Sequence, residues 1–233
     1  MIHMMSVQLD VIPGDVRQNW KNIQEEIAKA EQSRADILIL PEMCLSGYLI
    51  GDLWDQNSFL RECELYGEKI IRASKNLSII FGNVAVDWKK TNDDGRPRKY
   101  NAAFVASGGH LVTRPDIPFP YAVKVLLPNY RQFDDKRYFT GLSELSREEN
   151  LSPEKLMSPF AIPAGDEILK AGILLCEDSW DENYPLRPME IISACRPEML
   201  INISASPFTL GKEQKRHRIF QQPRPDSIFQ YYM

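Results

Sequence analysis

Histidine is scarce: the 233 residues contain three. His3 lies at the N-terminal edge, His110 beside a glycine-rich turn, and His217 in an exposed basic stretch. None sits at the end of an apolar run, which argues against a cysteine–histidine dyad. The four cysteines, Cys44, Cys63, Cys176 and Cys195, show no paired spacing, which argues against a zinc site and against a disulfide framework. No apolar run approaches membrane-spanning length, and no secretory signal opens the chain. Asn-x-Ser tripeptides at Asn76, Asn150 and Asn202 therefore carry little weight. A net charge of −4 leaves no basic field to attract nucleic acid. No sequence repeat and no Gly/Ser linker divides the chain. The expectation is a cytoplasmic protein of one large domain, with no nucleic acid or membrane as partner.

What is present is a series of short buried strands that end in polar residues. Ala35-Asp-Ile-Leu-Ile-Leu-Pro-Glu-Met43 is an apolar strand stopped by Pro41, with Glu42 the first charge beyond it. Ala171 to Trp180 repeats the pattern: Ile173 to Leu175 lead straight into Cys176, followed by Glu177 and Asp178. Tyr121 to Leu127 is apolar except for Lys124, a lysine that needs a carboxylate nearby. Leu77 to Val86 reads as another strand, broken at Gly82-Asn83, and Glu198 to Ser206 as a further one with a polar end. Hairpins are expected at Ser107-Gly108-Gly109 and at Ala164-Gly165-Asp166. Helices are expected after Asp15, where Val16, Trp20, Ile23, Ile27 and Ala30 form one stripe, and over 59–74, 188–195 and from Lys212. Ile228 to Tyr232 has the composition of one more strand. The alternation of strands and helices predicts α/β layers, and groups at the carboxyl ends of such strands are where chemistry collects.

Three strand ends thus expose Glu42, Lys124 and Cys176. An isolated cysteine at such a place is most often a small apolar plug. Together with a carboxylate base and a cation, it is suited to acyl transfer from an amide through a thioester. Glu177 and Asp178 follow the sulfur too closely to act as its base. As near anions they would hinder ionisation of the thiol, so both are expected to point away into hydrogen bonds.

Leu-Pro-Glu-Met at 40–43, Lys-Val-Leu-Leu-Pro-Asn-Tyr at 124–130 and Leu-Cys-Glu-Asp-Ser-Trp at 175–180 resemble the nitrilase (carbon–nitrogen hydrolase) superfamily. Ser-Gly-Tyr-Leu-Ile-Gly-Asp-Leu at 46–53, the stretch from Leu127 to Phe139, and Asn-Ile-Ser-Ala-Ser-Pro-Phe at 202–208 resemble one branch of it, the glutaminase domain of glutamine-dependent NAD synthetases. The resemblance implies a four-layer α-β-β-α sandwich over 1–222. It implies Glu42 as proton acceptor, Lys124 as the oxyanion and geometry group, and Cys176 as nucleophile. Tyr130, Ser206 and Lys212 would hold L-glutamine, Tyr48 would line its pocket, and Asp135 and Glu177 would support the site. Asp135 stands where the family usually carries glutamate. No metal and no cofactor is implied for releasing ammonia. ATP and deamido-NAD would belong to a synthetase partner domain that is absent here. Ser107-Gly108-Gly109 lacks the Asp-Ser pair of its pyrophosphate loop. In full-length form a homo-oligomer is expected. The chain reads as truncated, with an atypical tail over 223–233 in place of further sandwich strands. The alternatives are a free-standing amidase acting on another amide, and an inactive remnant.

Overall fold

The computed structural model describes residues 1–207 and 209–220. The tail over 223–233 and the strand expected at Ile228 to Tyr232 lie outside the described residues. The first sheet runs in the order β1 (Met4–Ser6), β2 (Ile37–Ile39), β3 (Ser78–Thr91), β4 (Pro97–Ser107), β5 (His110–Leu111), with β6 (Tyr121–Val123) also paired to β4. β1, β2 and β3 are parallel, and β3 and β4 form a long antiparallel pair. The second sheet is β7 (Phe160–Ala164), β8 (Glu167–Leu175) and β9 (Met199–Ile203), with β8 and β9 parallel.

Alternation along the strands assigns the layers. Leu38 in β2 faces α1 (Val16–Gln32) and α2 (Asn57–Ala73), whereas Ile37 and Ile39 face the other way. There they meet Ile173 and Leu175 of β8 and Ile201 and Ile203 of β9, the apolar filling between the two sheets. Leu174 and Leu200, on the far side of the second sheet, meet Met189 and Ile192 of α6 (Pro188–Ala194). The result is helix, sheet, sheet, helix, as the sequence resemblance implies. The short α3 (Asp135–Tyr138), α4 (Leu142–Glu149) and α5 (Pro153–Leu156) connect β6 to β7, and α7 (Lys212–Phe220) follows β9. No helix among the described residues is long and apolar enough to cross a membrane.

Local chemistry explains most of these elements. The Asp15 side chain accepts from the Gln18 amide at 3.0 Å and caps α1, as Asp at an N-cap does. The stripe of α1 includes Asn19, which the periodicity passes over. Its amide bonds the backbone at Ile12 and Leu45, which makes a polar residue affordable inside the helix interface. Both expected hairpins form.

One expectation is corrected: β3 is not broken at Gly82-Asn83 but runs through as fourteen residues. Gly82 keeps its pairing with Ala103. What the missing side chain permits is the approach of the turn after β2. A Cβ on Gly82 would lie 2.5 Å from Glu42 Cα and 2.6 Å from the Met43 nitrogen. Gly172 in β8 has a similar role against α6, where a Cβ would meet Ile192 at 2.5 Å and Leu200 at 2.6 Å, both through side chains. Gly172→Ala is expected to cost about 1–3 kcal/mol, as overpacking does. Gly82→Ala should cost more, because backbone atoms rather than side chains must move. Denaturant midpoints of the two variants, at unchanged slope, test this order.

Candidate active site

Three strand ends converge on one buried cluster of charge. Glu42 is held in the turn after β2, where Met43 takes a left-handed φ of 49°, a conformation that costs of order 1–2 kcal/mol in a non-glycine residue. Its Oε1 accepts from Asn101 Nδ2 at 2.8 Å and from Lys124 Nζ at 2.9 Å. Its Oε2 accepts from the Ala205 amide at 2.9 Å, just past β9. Lys124 continues the pairing of β6 with β4, its amide donating to Asn101 O at 2.9 Å. Its ammonium also donates to Tyr48 Oη at 2.6 Å and to Asp135 Oδ2 at 3.1 Å. All three ammonium hydrogens are therefore used. Burial works against the charge on Lys124, but Glu42, Tyr48 and Asp135 outweigh it and hold the ammonium well above the ordinary lysine value.

Cys176 follows β8 with a left-handed φ of 44°. Its carbonyl accepts from Ser179 Oγ at 3.0 Å and Asn202 Nδ2 at 3.4 Å, and Asn202 also donates to Ser179 Oγ. These bonds fix the strained turn that turns the thiol toward the cluster. Burial first, and then the charge of Glu42, push the Cys176 thiol up to about 12, against Lys124 and hydrogen bonds from Ser204 and Ser206. The resting sulfur is a thiol at neutral pH, not a preformed thiolate.

The remaining sequence-predicted residues divide into two groups. Tyr48 and Asp135 belong to the charge cluster: the Tyr48 hydroxyl donates to Asp135 Oδ2 at 2.6 Å. Burial, opposed by Lys124, holds the Asp135 carboxyl above its usual range. Tyr48 also edges one face of a cavity of about 560 Å³ bounded by Glu42, Ser204 and Ser206. Tyr130, Glu177 and Lys212 line a second cavity of about 530 Å³, together with Trp180 and Tyr184. Lys212 Nζ donates to Ser206 Oγ and lies 5.6 Å from the Trp180 ring centre. Burial pulls its ammonium below the ordinary value. The Tyr130 hydroxyl, 3.0 Å from both Glu177 oxygens, donates to that carboxylate, yet the residue is 46% exposed at the cavity mouth.

Glu177 and Asp178 are both hydrogen-bonded, as expected, but in different directions. Glu177 takes Tyr130 and Tyr184 and faces the cavity. Asp178 turns inward to three backbone amides, and burial pushes its carboxyl up to about 7 despite those amides and Lys124. Sequence reasoning missed Asn101, Ser204, Tyr184, Asn202 and the Ala205 amide. For Asn101 and Asn202 a signal existed, because each is a lone amide inside an apolar strand. For Tyr184 and the Ala205 amide there was none. No group of three or more metal-ligating side chains exists among the described residues.

The arrangement joins a neutral thiol, a carboxylate and a buried cation, which together can move a proton off sulfur while sulfur attacks. Because the Glu42 charge holds the thiol up, Glu42→Gln should leave Lys124 opposed by Asp135 alone and make Cys176 a better nucleophile toward a simple alkylating agent. Alkylation by iodoacetamide at pH 8 is expected to speed up on the order of tenfold, a one-unit fall in thiol pKa. In the unaltered protein the rate should still be climbing at pH 9, and a plateau between pH 6 and 8 would contradict this geometry.

Comparison with known proteins places the chain. Residues 5–224 match the family model described as carbon–nitrogen hydrolase. A glutamine-dependent NAD(+) synthetase from Thermotoga maritima is 32% identical over 206 residues, covering 88% of this chain and 30% of that protein. The one from Aquifex aeolicus is 28% identical, covering 98% of this chain and 34% of its own length. The chain thus spans about a third of these relatives. Among solved structures, the glutamine-dependent NAD+ synthetase from Acinetobacter baumannii superposes with a TM-score of 0.68 at 24% identity, over 91% of this chain and 34% of that one. A nitrilase-superfamily amidase from Nesterenkonia sp. AN1 gives 0.66 at 14% identity, over 92% and 69%. By sequence and by its four-layer fold, this chain belongs to the carbon–nitrogen hydrolase family.

Proposed function

We propose that this domain is a glutamine amidohydrolase in which Cys176 is the nucleophile, Glu42 the proton carrier and Lys124 the electrostatic partner. The observation that carries the substrate is the second cavity. It presents the Glu177 carboxylate and the Lys212 ammonium, with Tyr130 at the mouth. An anion and a cation in one small cleft complement the α-ammonium and α-carboxylate of an amino acid, and leave its side-chain amide to reach the thiol. Ser206, bonded to Lys212, lies within hydrogen-bonding reach of the Cys176 sulfur and so joins the two halves.

The reaction follows from the resting protonation. As the sulfur attacks the amide carbon, Glu42 takes the thiol proton. The carbonyl oxygen becomes an oxyanion near the Lys124 charge, whose effect is large because the site is buried. All three ammonium hydrogens are occupied at rest, so Lys124 offers charge first. A hydrogen bond to the oxyanion becomes available when protonation of Glu42 weakens that carboxylate as an acceptor. The C–N bond then breaks, Glu42 returns the proton to the departing nitrogen, and ammonia leaves the Cys176 thioester. Water attacks the thioester with Glu42 accepting its proton, the C–S bond breaks, Glu42 returns that proton to the sulfur, and glutamate leaves. Only water, glutamine and these side chains take part. The ammonia would serve the amide-forming step of an NAD synthetase, the activity for which the relatives are named.

A glutamine-shaped diazoketone should label Cys176 stoichiometrically, with glutamine protecting against it, as read by intact mass and peptide mapping. Glutamate release should fall to background in Cys176→Ala. It should fall about 10²–10⁴-fold in Glu42→Gln, the usual contribution of a positioned proton carrier, even as that thiol alkylates faster. A folded sample that takes no label at Cys176, or hydrolyses simple amides in preference to glutamine, sinks the assignment.

A further inference from the structure

Lys124 and Cys176 stand on different sheets, so no strand ladder sets the distance between them. On its own side Lys124 is fixed by Asn101, Glu42, Tyr48 and Asp135. On the other side Cys176 is fixed by Ser179 and Asn202. Glu42 ties the Lys124 ammonium to the Ala205 amide of the second sheet, and a second buried side chain ties the backbone beside Lys124 to the backbone beside Cys176. Asp178 Oδ1 accepts from the amides of Val125 at 3.0 Å and Leu126 at 2.8 Å, the two residues after Lys124. Its Oδ2 accepts at 3.1 Å from the amide of Leu175, the residue before Cys176. Val125 and Leu126 have left the sheet at this point, since β6 ends at Val123.

We propose that Asp178 is a positioning residue that sets the separation of the Lys124 ammonium from the Cys176 sulfur by bridging the two sheets. A carboxylate suits the task because it is acceptor-only on both oxygens. Asparagine has nearly the same shape but must turn its NH₂ toward one side of the bridge. In one orientation it opposes the Leu175 amide, in the other the amides of Val125 and Leu126. Either way a buried donor faces a donor, which costs more than a missing bond. The bridge should open on that side, and Lys124 should draw away from the sulfur. The Ala205 amide on Glu42 remains in place, so the carboxylate keeps its own tie to the second sheet.

The direction of the change in thiol reactivity separates this role from a simple effect of charge. Removing a nearby anion would by itself ease ionisation of the thiol and speed its alkylation. Moving Lys124 away does the opposite. Asp178→Asn is therefore expected to slow iodoacetamide alkylation of Cys176 at pH 8 about tenfold, in a protein whose near-ultraviolet circular dichroism is unchanged. Faster or unaltered alkylation overturns the proposal, and this readout needs no substrate. Where the proposed glutaminase activity holds, the same variant should lose about 100-fold in kcat with KM within threefold, since Tyr130 and Lys212 are untouched. A matching rise in KM with kcat preserved also overturns it. Should Asp178→Asn fail to fold, hydrogen exchange of the unaltered protein decides: the amides of Val125, Leu126 and Leu175 should be protected to the same degree. Rapid exchange at Val125 and Leu126 with Leu175 protected would mean that no bridge exists.

Discussion

A single buried ammonium, that of Lys124, holds the active region together. Its partners come from three separate places in the chain: Glu42 after β2, Tyr48 in the following turn, and Asp135 in α3. Burying the ammonium is costly unless it is paired, and these partners outweigh that cost. Removing the cation would leave two buried carboxylates facing each other, the kind of break that costs far more than an exposed ion pair is worth. The turns that carry Glu42 and Asp135 are thus tied to β6 by charge where sheet pairing does not reach.

The layers on either side are what make that cluster dry. Ile37 and Ile39 meet Ile173, Leu175, Ile201 and Ile203 between the sheets, and the strand ends that carry Glu42, Cys176 and Ala205 emerge from this same apolar slab. Two non-glycine residues, Met43 and Cys176, are held in left-handed conformations beside it. Such strain persists only where surroundings over-determine it, and here Gly82 clears the space for one while Ser179 and Asn202 lock the other.

Much of this was legible in the sequence. Short apolar runs that stop at Pro41 and Cys176 gave the strand ends, and Lys124 inside an apolar run demanded the carboxylates it has. The helical stripe of α1 and both glycine turns were equally plain. Sequence patterns mark where a chain changes from apolar to polar. They do not mark which backbone amide a side chain meets across a sheet. The continuity of β3 was misread because glycine weakens a strand in general, whereas at Gly82 it makes room for the Glu42 turn. The opposite directions taken by neighbouring Glu177 and Asp178 depend on the tight turn after Cys176, whose register no local pattern reveals. Tyr184 enters the cavity through the fold alone.

The charge cluster also has a property that belongs to it as a whole. Glu42, Asp135 and Lys124 sum to one negative charge, the thiol being neutral. In the proposed reaction the proton passes from sulfur to Glu42, then to the leaving nitrogen, and the cluster neither gains nor loses a charge up to the thioester. The total stays at minus one from resting state to thioester, while the departing molecule, ammonia, is uncharged. Such an enclosed proton circuit places no demand on bulk water to stabilise a new charge, and its chemical step should be nearly indifferent to ionic strength. The apolar slab between the sheets can therefore stay dry while the proposed chemistry runs at the strand ends beside it.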